Sequence, residues 1–214
     1  MTKQVEFIFD FGSPASYLAW TQLPKIAAAA AAQIVWKPML LGGVFKATGN
    51  ASPVTVAAKG KWMMGDLDRC AARYGVPLVM PVNFPVNTLT MMRGAVGVQQ
   101  RQPADFDRYV KAMFEGMFAR GLNMGDPDVL AGVLTAAGFD PATFIALVGD
   151  PAIIKGWWPS PKRRSRAARS VHPRCSWAAI CISGRTGWTS WPRLWRDNRR
   201  PALASGATSH VIDP

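Results

Sequence analysis

The run FDFGSPASYLAW at residues 9–20 contains a serine whose position suits it to chemistry. Ser13 follows a glycine turn and precedes Pro14, which is the pattern of a helix N-cap with proline at the first helical position. Free backbone N–H groups and the helix dipole favour negative charge there, so a bound thiolate or carboxylate would be stabilised beside the hydroxyl. The alternative is that Ser13 only caps a helix. Spacing alone favours that alternative, because caps far outnumber catalytic serines.

A β-α-β unit is expected to position this serine. Residues 4–10 alternate with period two, with apolar side chains on one side and Glu6 and Asp10 on the other, which predicts a strand. A helix follows from Ser13, and residues 33–40 predict a second strand. Two strands joined by a helix favour a parallel pair with a right-handed crossover. The pair Gly42-Gly43 and the polar stretch after it predict a loop.

The remainder of the first 155 residues has a helical pattern. Two Asp-Pro pairs, Asp126-Pro127 and Asp140-Pro141, combine a cap with proline in the first turn and predict helix starts. The sequence therefore predicts an α/β domain over residues 1–155 with an all-helical insertion at about residues 50–150. Its helical segments are predicted at 54–74, 87–101, 103–120, 126–138 and 141–149.

Several stretches of this part carry a resemblance to a known family. They are FDFGSPASYLAW, the loop at Asn50, KGKWMMGDLDRCAARYGVP and FPVNTLTMMRGAV. Together they resemble the 2-hydroxychromene-2-carboxylate isomerases, which are close relatives of the kappa-class glutathione transferases and share the DsbA-like variant of the thioredoxin fold. The resemblance covers roughly residues 4–155. It implies a thioredoxin-like (DsbA-like) sheet around the predicted helical insertion.

The resemblance also implies a reaction. The family uses glutathione, and the hydroxyl at the position of Ser13 hydrogen-bonds its sulfur and lowers the thiol pKa. The thiolate adds to a conjugated substrate, permits rotation about a former double bond and leaves again. The net result interconverts 2-hydroxychromene-2-carboxylate and trans-o-hydroxybenzylidenepyruvate in naphthalene-type catabolism. Because serine stands at both ends of Ser13-Pro14-Ala15-Ser16, dithiol–disulfide exchange by these residues is excluded.

Further site residues follow from the same resemblance. Asn50 matches a family position that contacts glutathione, and Lys59 matches a basic position that pairs with a glutathione carboxylate, with Lys61 as the alternative match. Phe84, Pro85 and Asn87 match a motif beside the substrate pocket. Without the family, Asn50 is a turn residue, the lysines are solvated helix charges, and the segment at Asn87 leads into an Asn-capped helix.

The last 59 residues have a different composition from the rest. The formal net charge of the 214-residue chain is +12, but residues 1–155 hold 14 basic and 11 acidic residues, whereas residues 156–214 hold 11 basic and 2 acidic ones. Six of the nine tryptophans also lie there. The stretch has neither helical nor strand periodicity, so we expect an anomalous, disordered, basic tail without the family's closing strands. A basic tail with interleaved tryptophans that binds RNA is the alternative.

A shifted reading frame explains this composition. The codons for RSVHPRCSWAAICIS can encode FGAPTMFVGGDMHF when they are read one base out of phase and their third bases are chosen freely. In the same way, the codons for GRTGWTSW can encode DRLDFV. These match the usual family ending, a Gly-Ala-Pro loop with a cis proline, two strands and an Asp-Arg turn. We therefore expect a frameshift between about Ile153 and Trp157. A chain without that ending is expected to fold poorly and to have little or no activity.

The remaining expectations concern class, location and partners. No apolar run reaches the roughly 18 residues of a membrane span, and the N-terminus has no signal-peptide pattern. The three cysteines form neither a CxxC pair nor a zinc pattern, so the sequence predicts a cytoplasmic protein without a metal site, a membrane partner or a nucleic-acid partner. Relatives commonly dimerise, so a homodimer is expected. The alternatives to an isomerase are a kappa-type glutathione transferase and a non-catalytic thioredoxin-like binding module.

Overall fold

The computed structural model describes residues 3–157, and within them the chain forms a small parallel sheet followed by a helical block. Short 3-10 turns occur at Pro53–Thr55 and Pro103–Asp105, and a π-helical turn occurs at Glu115–Ala119. The main elements are β1 (Lys3–Phe9), α1 (Pro14–Ala29), β2 (Ala32–Pro38), α2 (Leu41–Thr48), α3 (Ala57–Tyr74), α4 (Leu89–Arg101), α5 (Phe106–Phe114), α6 (Pro127–Ala136), α7 (Pro141–Gly149) and α8 (Pro151–Trp157).

The two strands pair in parallel, as the β-α-β pattern predicts. Lys3 pairs with Ala32 and Phe9 with Pro38, so the register is constant along both strands. Beyond the last pair, the N–H of Met39 donates to the carbonyl of Phe9 at 2.9 Å. This bond keeps the chain leaving β2 beside the end of β1, where the turn to α1 begins.

Alternate residues of β1 anchor an aromatic core beneath this end of the sheet. Val5, Phe7 and Phe9 are buried, as the period-two pattern predicts. Phe11 continues the series past the strand and packs edge-on against Phe114 of α5, with ring centroids 4.9 Å apart. Aromatic pairs of this kind add about 0.5–1.5 kcal/mol each beyond their burial. The turn that carries Ser13 is therefore attached to the buried aromatic core.

One loop prediction is wrong. The segment at Gly42-Gly43 is the first turn of α2, a helix of eight residues. Both of its ends are held: the N–H of Leu41 donates to the Asp10 carboxylate, and Gly49 adopts a left-handed conformation (φ 68°) that closes the helix. Glycine reaches that conformation at no steric cost, and these end contacts outweigh the low helix propensity of the two glycines inside.

The helical insertion is confirmed, with boundaries that move by a few residues. The segment predicted at 103–120 is divided into a 3-10 turn, α5 and the π-helical turn, and a short helix, α8, follows α7. The predicted N-caps at Asp126 and Asp140 both accept hydrogen bonds from the first turn of their helices. Except for Gly156 and Trp157 at the end of α8, the predicted tail at residues 156–214 lies outside the described residues.

Among the described residues, no single helix is both long and apolar enough to cross a membrane. Helices α6 and α7 meet that test of length and composition only when taken together, and a bend of 117° separates them.

Candidate functional site

Ser13 lies at the N-terminus of α1 and caps it, as predicted. Its backbone is extended (φ −103°, ψ 110°), Pro14 is the first helical residue, and its Oγ accepts a hydrogen bond from the N–H of Ser16 at 3.1 Å. That bond uses a lone pair of the oxygen and leaves the hydroxyl proton available as a donor. Ser13 is only 6% exposed, so a group that contacts the hydroxyl does so away from bulk water.

Asp10 lies directly behind this turn and was not predicted as a site residue. Its carboxylate is 2% exposed. Oδ1 accepts hydrogen bonds from the N–H of Gly12 at 2.8 Å and the hydroxyl of Thr88 at 2.7 Å, and Oδ2 accepts one from the N–H of Leu41 at 2.6 Å. The alternation of the sequence assigns Asp10 to the same side as Glu6. That pattern does not predict the burial of Asp10, because β1 ends at Phe9 and the carboxylate is enclosed in the turn that follows, whereas Glu6 is only half-buried.

The electrostatics of Asp10 follow from its burial. Loss of hydration raises the pKa of its carboxyl above the ordinary value, and the hydrogen bonds from Gly12, Leu41 and Thr88 oppose this shift without cancelling it. Burial of a carboxylate costs free energy unless its oxygens are satisfied. Three donors satisfy this one, so the arrangement requires each of the segments that supply them.

Thr88 brings the predicted substrate segment to the Ser13 turn. Besides its hydrogen bond to Asp10, its Cγ2 lies 3.0 Å from the position a Cβ would take at Gly12. Phe84, four residues earlier, is half-buried and packs on the core, whereas Pro85 and Asn87 are exposed, and the Phe84-Pro85 peptide is cis. The Asn87 Oδ1 accepts a hydrogen bond from the N–H of Leu89 at 3.1 Å, but the N-cap of α4 is Thr88, so the expected Asn cap is wrong by one residue.

The predicted glutathione contacts Asn50 and Lys59 are exposed and held only by local bonds. The Asn50 N–H donates to the carbonyl of Phe45 at 3.0 Å, and its Oδ1 accepts from the N–H of Ala51 at 2.8 Å. Lys59 and its alternative Lys61 lie in the first turns of α3. Within residues 3–157, no hydrogen bond or ion pair joins these residues to the Ser13 turn.

Ser16 occupies the other end of the Ser-Pro-Ala-Ser run and is fully buried. Its Oγ has no hydrogen-bond partner, a property shared within the described part of the chain by the Nε of Arg93. With hydroxyls at both positions, the first turn of α1 offers hydrogen-bonding groups and carries no thiol of its own. In the same part of the chain, no group of three or more His, Cys, Asp and Glu side chains is arranged to hold a metal ion.

A separate cavity of about 170 Å³ lies between the C-terminal end of α4 and the start of α7. Its lining includes Gln102, Arg108, Asp140 and Thr143 and none of the predicted site residues. Arg108 is held there by an ion pair with Asp105 at 2.8 Å and lies 4.7 Å from the centre of the Phe139 ring. The cavity therefore belongs to a different face of the helical block from the Ser13 turn.

Comparisons with known proteins agree on the family to which this chain belongs. The sequence model of the DSBA-like thioredoxin domain matches residues 4–156. A 2-hydroxychromene-2-carboxylate isomerase of Sphingobium xenophagum is 32% identical over 154 residues, which are 71% of this chain and 77% of that protein. A kappa 1 glutathione S-transferase of Caenorhabditis elegans is 27% identical over 165 residues, 71% of this chain and 70% of that protein.

A solved structure of 2-hydroxychromene-2-carboxylate isomerase gives the same relationship at the level of the fold. It superposes with a TM-score of 0.68 at 26% identity, covering 91% of this chain and 97% of that one. The chain therefore belongs to the DSBA-like thioredoxin family. Within that family it belongs with the 2-hydroxychromene-2-carboxylate isomerases, which makes it an enzyme of the isomerase class.

Proposed function

We propose that the protein is a cytoplasmic, glutathione-dependent isomerase. It interconverts 2-hydroxychromene-2-carboxylate and trans-o-hydroxybenzylidenepyruvate in naphthalene-type aromatic catabolism. The observation that carries the proposal is the Ser13 hydroxyl, which is buried, caps α1 and accepts from the Ser16 N–H, so that its proton can be donated to a ligand. The relatives named isomerase support the reaction, and the chemistry of this turn supports glutathione.

The residues at the start of α1 fit a thiol cofactor. When bound, glutathione would supply a thiolate that adds reversibly to the conjugated substrate and so permits rotation about a former double bond. Ser13 would donate a hydrogen bond to the sulfur, and the N-terminus of α1 would stabilise the negative charge. Both effects lower the pKa of a thiol. The bond from Ser16 polarises the Ser13 hydroxyl and makes it a stronger donor.

Helix α2 links the Asp10 carboxylate beside the Ser13 turn to the loop at Asn50. Its first residue, Leu41, donates to Asp10, and its last residue, Thr48, lies two residues before Asn50. A glutathione with its sulfur at Ser13 would extend towards this loop, where the amide side chain of Asn50 is exposed. Lys59, or in the alternative Lys61, would offer an ammonium group to a glutathione carboxylate.

The substrate side of the site is the segment at Phe84, Pro85 and Asn87. Its aromatic and proline rings suit an aromatic pyruvate, and Thr88 holds the segment against the turn that carries Ser13. Sulfur and substrate would therefore be bound by two segments that share one buried contact. The proposal assigns Ser13 the catalytic role and gives the binding roles to Asn50, Lys59 and the 84–87 segment.

A kappa-type glutathione transferase is the second candidate, because kappa-class relatives match the chain over a similar length. Stoichiometry separates the two activities. An isomerase leaves the concentration of free glutathione thiol unchanged over many turnovers, whereas a transferase consumes one thiol for each product. A non-catalytic binding module would show neither behaviour.

The test compares Ser13→Ala with Asp140→Ala, which removes the cap of α7 on another part of the domain. Glutathione affinity is measured by calorimetry and isomerisation by the absorbance of the substrate. We expect Ser13→Ala to lower kcat/KM by about 10²-fold, the effect of removing one hydrogen-bond donor from a developing charge. Asp140→Ala should leave it unchanged. If Ser13→Ala leaves glutathione affinity and every rate unchanged, Ser13 is only a cap and its proposed catalytic role is wrong.

The reading-frame hypothesis adds a second version of the protein to this test. The family ending that the shifted frame would restore includes a cis-proline loop and an Asp-Arg turn that resemble glutathione-binding features. We propose that a chain with the restored frame binds glutathione more tightly than the present chain. Sequencing the source DNA across codons 150–160 decides which version the gene encodes. A restored chain that binds no glutathione would count against the role of Ser13.

A further inference from the structure

We propose that Asp10 is a positioning residue that fixes the separation between the thiol site and the substrate site. The inference rests on the proposed function, since it concerns the placement of glutathione relative to the aromatic substrate. It depends on which segments the carboxylate holds, and all three of them lead to residues with a proposed binding role.

The three donors to Asp10 come from parts of the chain that are far apart in sequence. Gly12 immediately precedes Ser13. Thr88, 78 residues from Asp10, immediately follows the substrate segment at Asn87. Leu41, 31 residues away, begins the helix that ends just before Asn50. A single side chain thus joins the segment that would hold sulfur, the one that would hold substrate and the one that leads to the remainder of glutathione.

The bonds are divided between the two carboxylate oxygens in a way that couples the sites. Oδ1 accepts from both the Gly12 N–H and the Thr88 hydroxyl, at 2.8 and 2.7 Å, so one atom sets the distance between the thiol and substrate segments. Oδ2 accepts from the Leu41 N–H alone. Gly12 also lacks a side chain where Thr88 approaches, and a Cβ added there would lie only 3.0 Å from Thr88 Cγ2.

A carboxylate is the group that this arrangement requires. An asparagine has one acceptor oxygen and would turn its NH₂ group, a donor, towards one of the three donors. Within the described residues no cation forms an ion pair with Asp10, so hydrogen bonds and not an opposite charge stabilise the carboxylate. Helix capping alone does not explain such a costly group, because Ser13 already caps α1 and the bond to Leu41 at the start of α2 accounts for only one of the three donors. What the carboxylate adds is a fixed junction of three segments.

Precise placement matters for a reaction between two bound molecules. A displacement of about 1 Å between reacting groups can cost about 10²-fold in rate. We therefore expect Thr88→Val, which keeps the shape of the side chain and removes its hydroxyl, to lower kcat by about 10- to 100-fold. Glutathione affinity should change by no more than about threefold, because the Ser13 turn and α2 stay attached to Asp10. Thr88→Ser, which keeps the hydroxyl, should recover most of the rate.

The matched control is Thr90→Val, which makes the same exchange at an exposed position of α4 two residues further on and should leave all constants unchanged. A second variant, Asp10→Asn, severs a different attachment. With its oxygen facing Gly12 and Thr88 it would lose the bond to Leu41, so glutathione affinity should fall by about tenfold or more while the drop in kcat stays smaller. A merely structural role would lower the folded fraction in circular dichroism without this split between binding and turnover.

The outcomes separate the two proposals. If neither the wild-type chain nor the chain with the restored frame binds glutathione, the proposed function fails and this inference fails with it. If the wild type binds glutathione and isomerises its substrate while Thr88→Val behaves like Thr90→Val, only the inference about Asp10 is overturned. If Thr88→Val does not fold, Asp10→Asn decides: equal losses in glutathione affinity and kcat would contradict the coupling described here.

Discussion

Helices α1 and α7 begin with the same cap motif, but the residues around the two motifs differ in burial and in their contacts. Each starts with a cap followed by proline, Ser13-Pro14 in one and Asp140-Pro141 in the other. In both, the cap oxygen accepts from the N–H three residues later, at 3.1 Å from Ser16 and 2.8 Å from Thr143. From the local sequence alone, the two helix starts are equivalent.

The difference lies in burial and in the range of the contacts. Asp140 is exposed, and its bonds stay within its own turn, to the N–H and hydroxyl of Thr143. The turn before α1 is buried and is attached through Asp10 to segments 31 and 78 residues away. A cap motif therefore marks a helix start, and only long-range contacts of the adjoining turn mark a candidate site.

The strongest test of this difference between the two helix starts is to exchange their cap residues. Ser13→Asp should still cap α1, because aspartate and serine are about equally good N-caps. Its carboxylate has no proton to donate and would repel a thiolate, so we expect glutathione affinity and kcat/KM to fall by about 10²-fold or more. Calorimetry and steady-state kinetics measure both quantities.

The reciprocal exchange, Asp140→Ser, is the control. It should leave glutathione affinity and turnover unchanged, since α7 keeps a cap and lies away from the Ser13 turn. Equal effects of the two exchanges on glutathione would mean that the start of α1 has no special chemistry, and the contrast between the two helices would then be one of burial alone.

Most of this contrast could be predicted from the sequence, but its central residue could not. The caps at Ser13, Asp126 and Asp140 follow from local rules, because capping involves residues only two or three positions apart. The DsbA-like fold and the proposed role of the 84–87 segment follow from the resemblance to a family. None of these signals reports which side chains meet across 78 residues of chain.

Asp10 and α2 show why the rest was missed. Alternation along a strand predicts the side of a residue only while the strand continues, and β1 ends one residue before Asp10. Two glycines predict a loop when they are judged by propensity, yet α2 forms because Asp10 fixes its first N–H and Gly49 closes its end. In both cases a tertiary contact overrides the local preference.

Substitution of the glycines near the two helix starts gives a second test of the same difference, with smaller expected effects. Gly138, two residues before Asp140, has φ 77°, a conformation that costs a non-glycine residue about 1–2 kcal/mol. Gly138→Ala should therefore lower the free energy of unfolding by about that amount and leave catalysis unchanged. Chemical denaturation and steady-state kinetics measure the two effects.

Gly12→Ala should instead affect catalysis more than stability. Gly12 does not have a positive φ, but an added Cβ would lie 3.0 Å from Thr88 Cγ2 and 3.4 Å from Asp10 Oδ1. The substrate segment must move by a few tenths of an ångström to accommodate it. We expect a several-fold loss in kcat with a smaller loss of stability than in Gly138→Ala. A variant that loses stability and keeps its full rate would show that the separation of these segments is not critical.

The smallest expected effect concerns the free energy of unfolding, to which Asp10 and Asp140 should contribute with opposite dependence on pH. Burial raises the pKa of Asp10 above its ordinary value of 3.8, so its contribution to stability is fully present below that pH and is lost as the pH rises through the raised pKa. Hydrogen bonds from Thr143 lower the pKa of the exposed Asp140, so its contribution is present above 3.8 and is lost as the pH falls through the lowered pKa.

Urea unfolding of the wild type, Asp10→Asn and Asp140→Asn between about pH 2 and pH 7 measures both contributions to stability. As the pH rises, the stability of the wild type should decline relative to Asp10→Asn and increase relative to Asp140→Asn. Added salt should weaken only the second trend, since exposed charges are screened. Parallel trends for both aspartates would mean that Asp10 is hydrated like Asp140, and a hydrated carboxylate could not hold the three segments together.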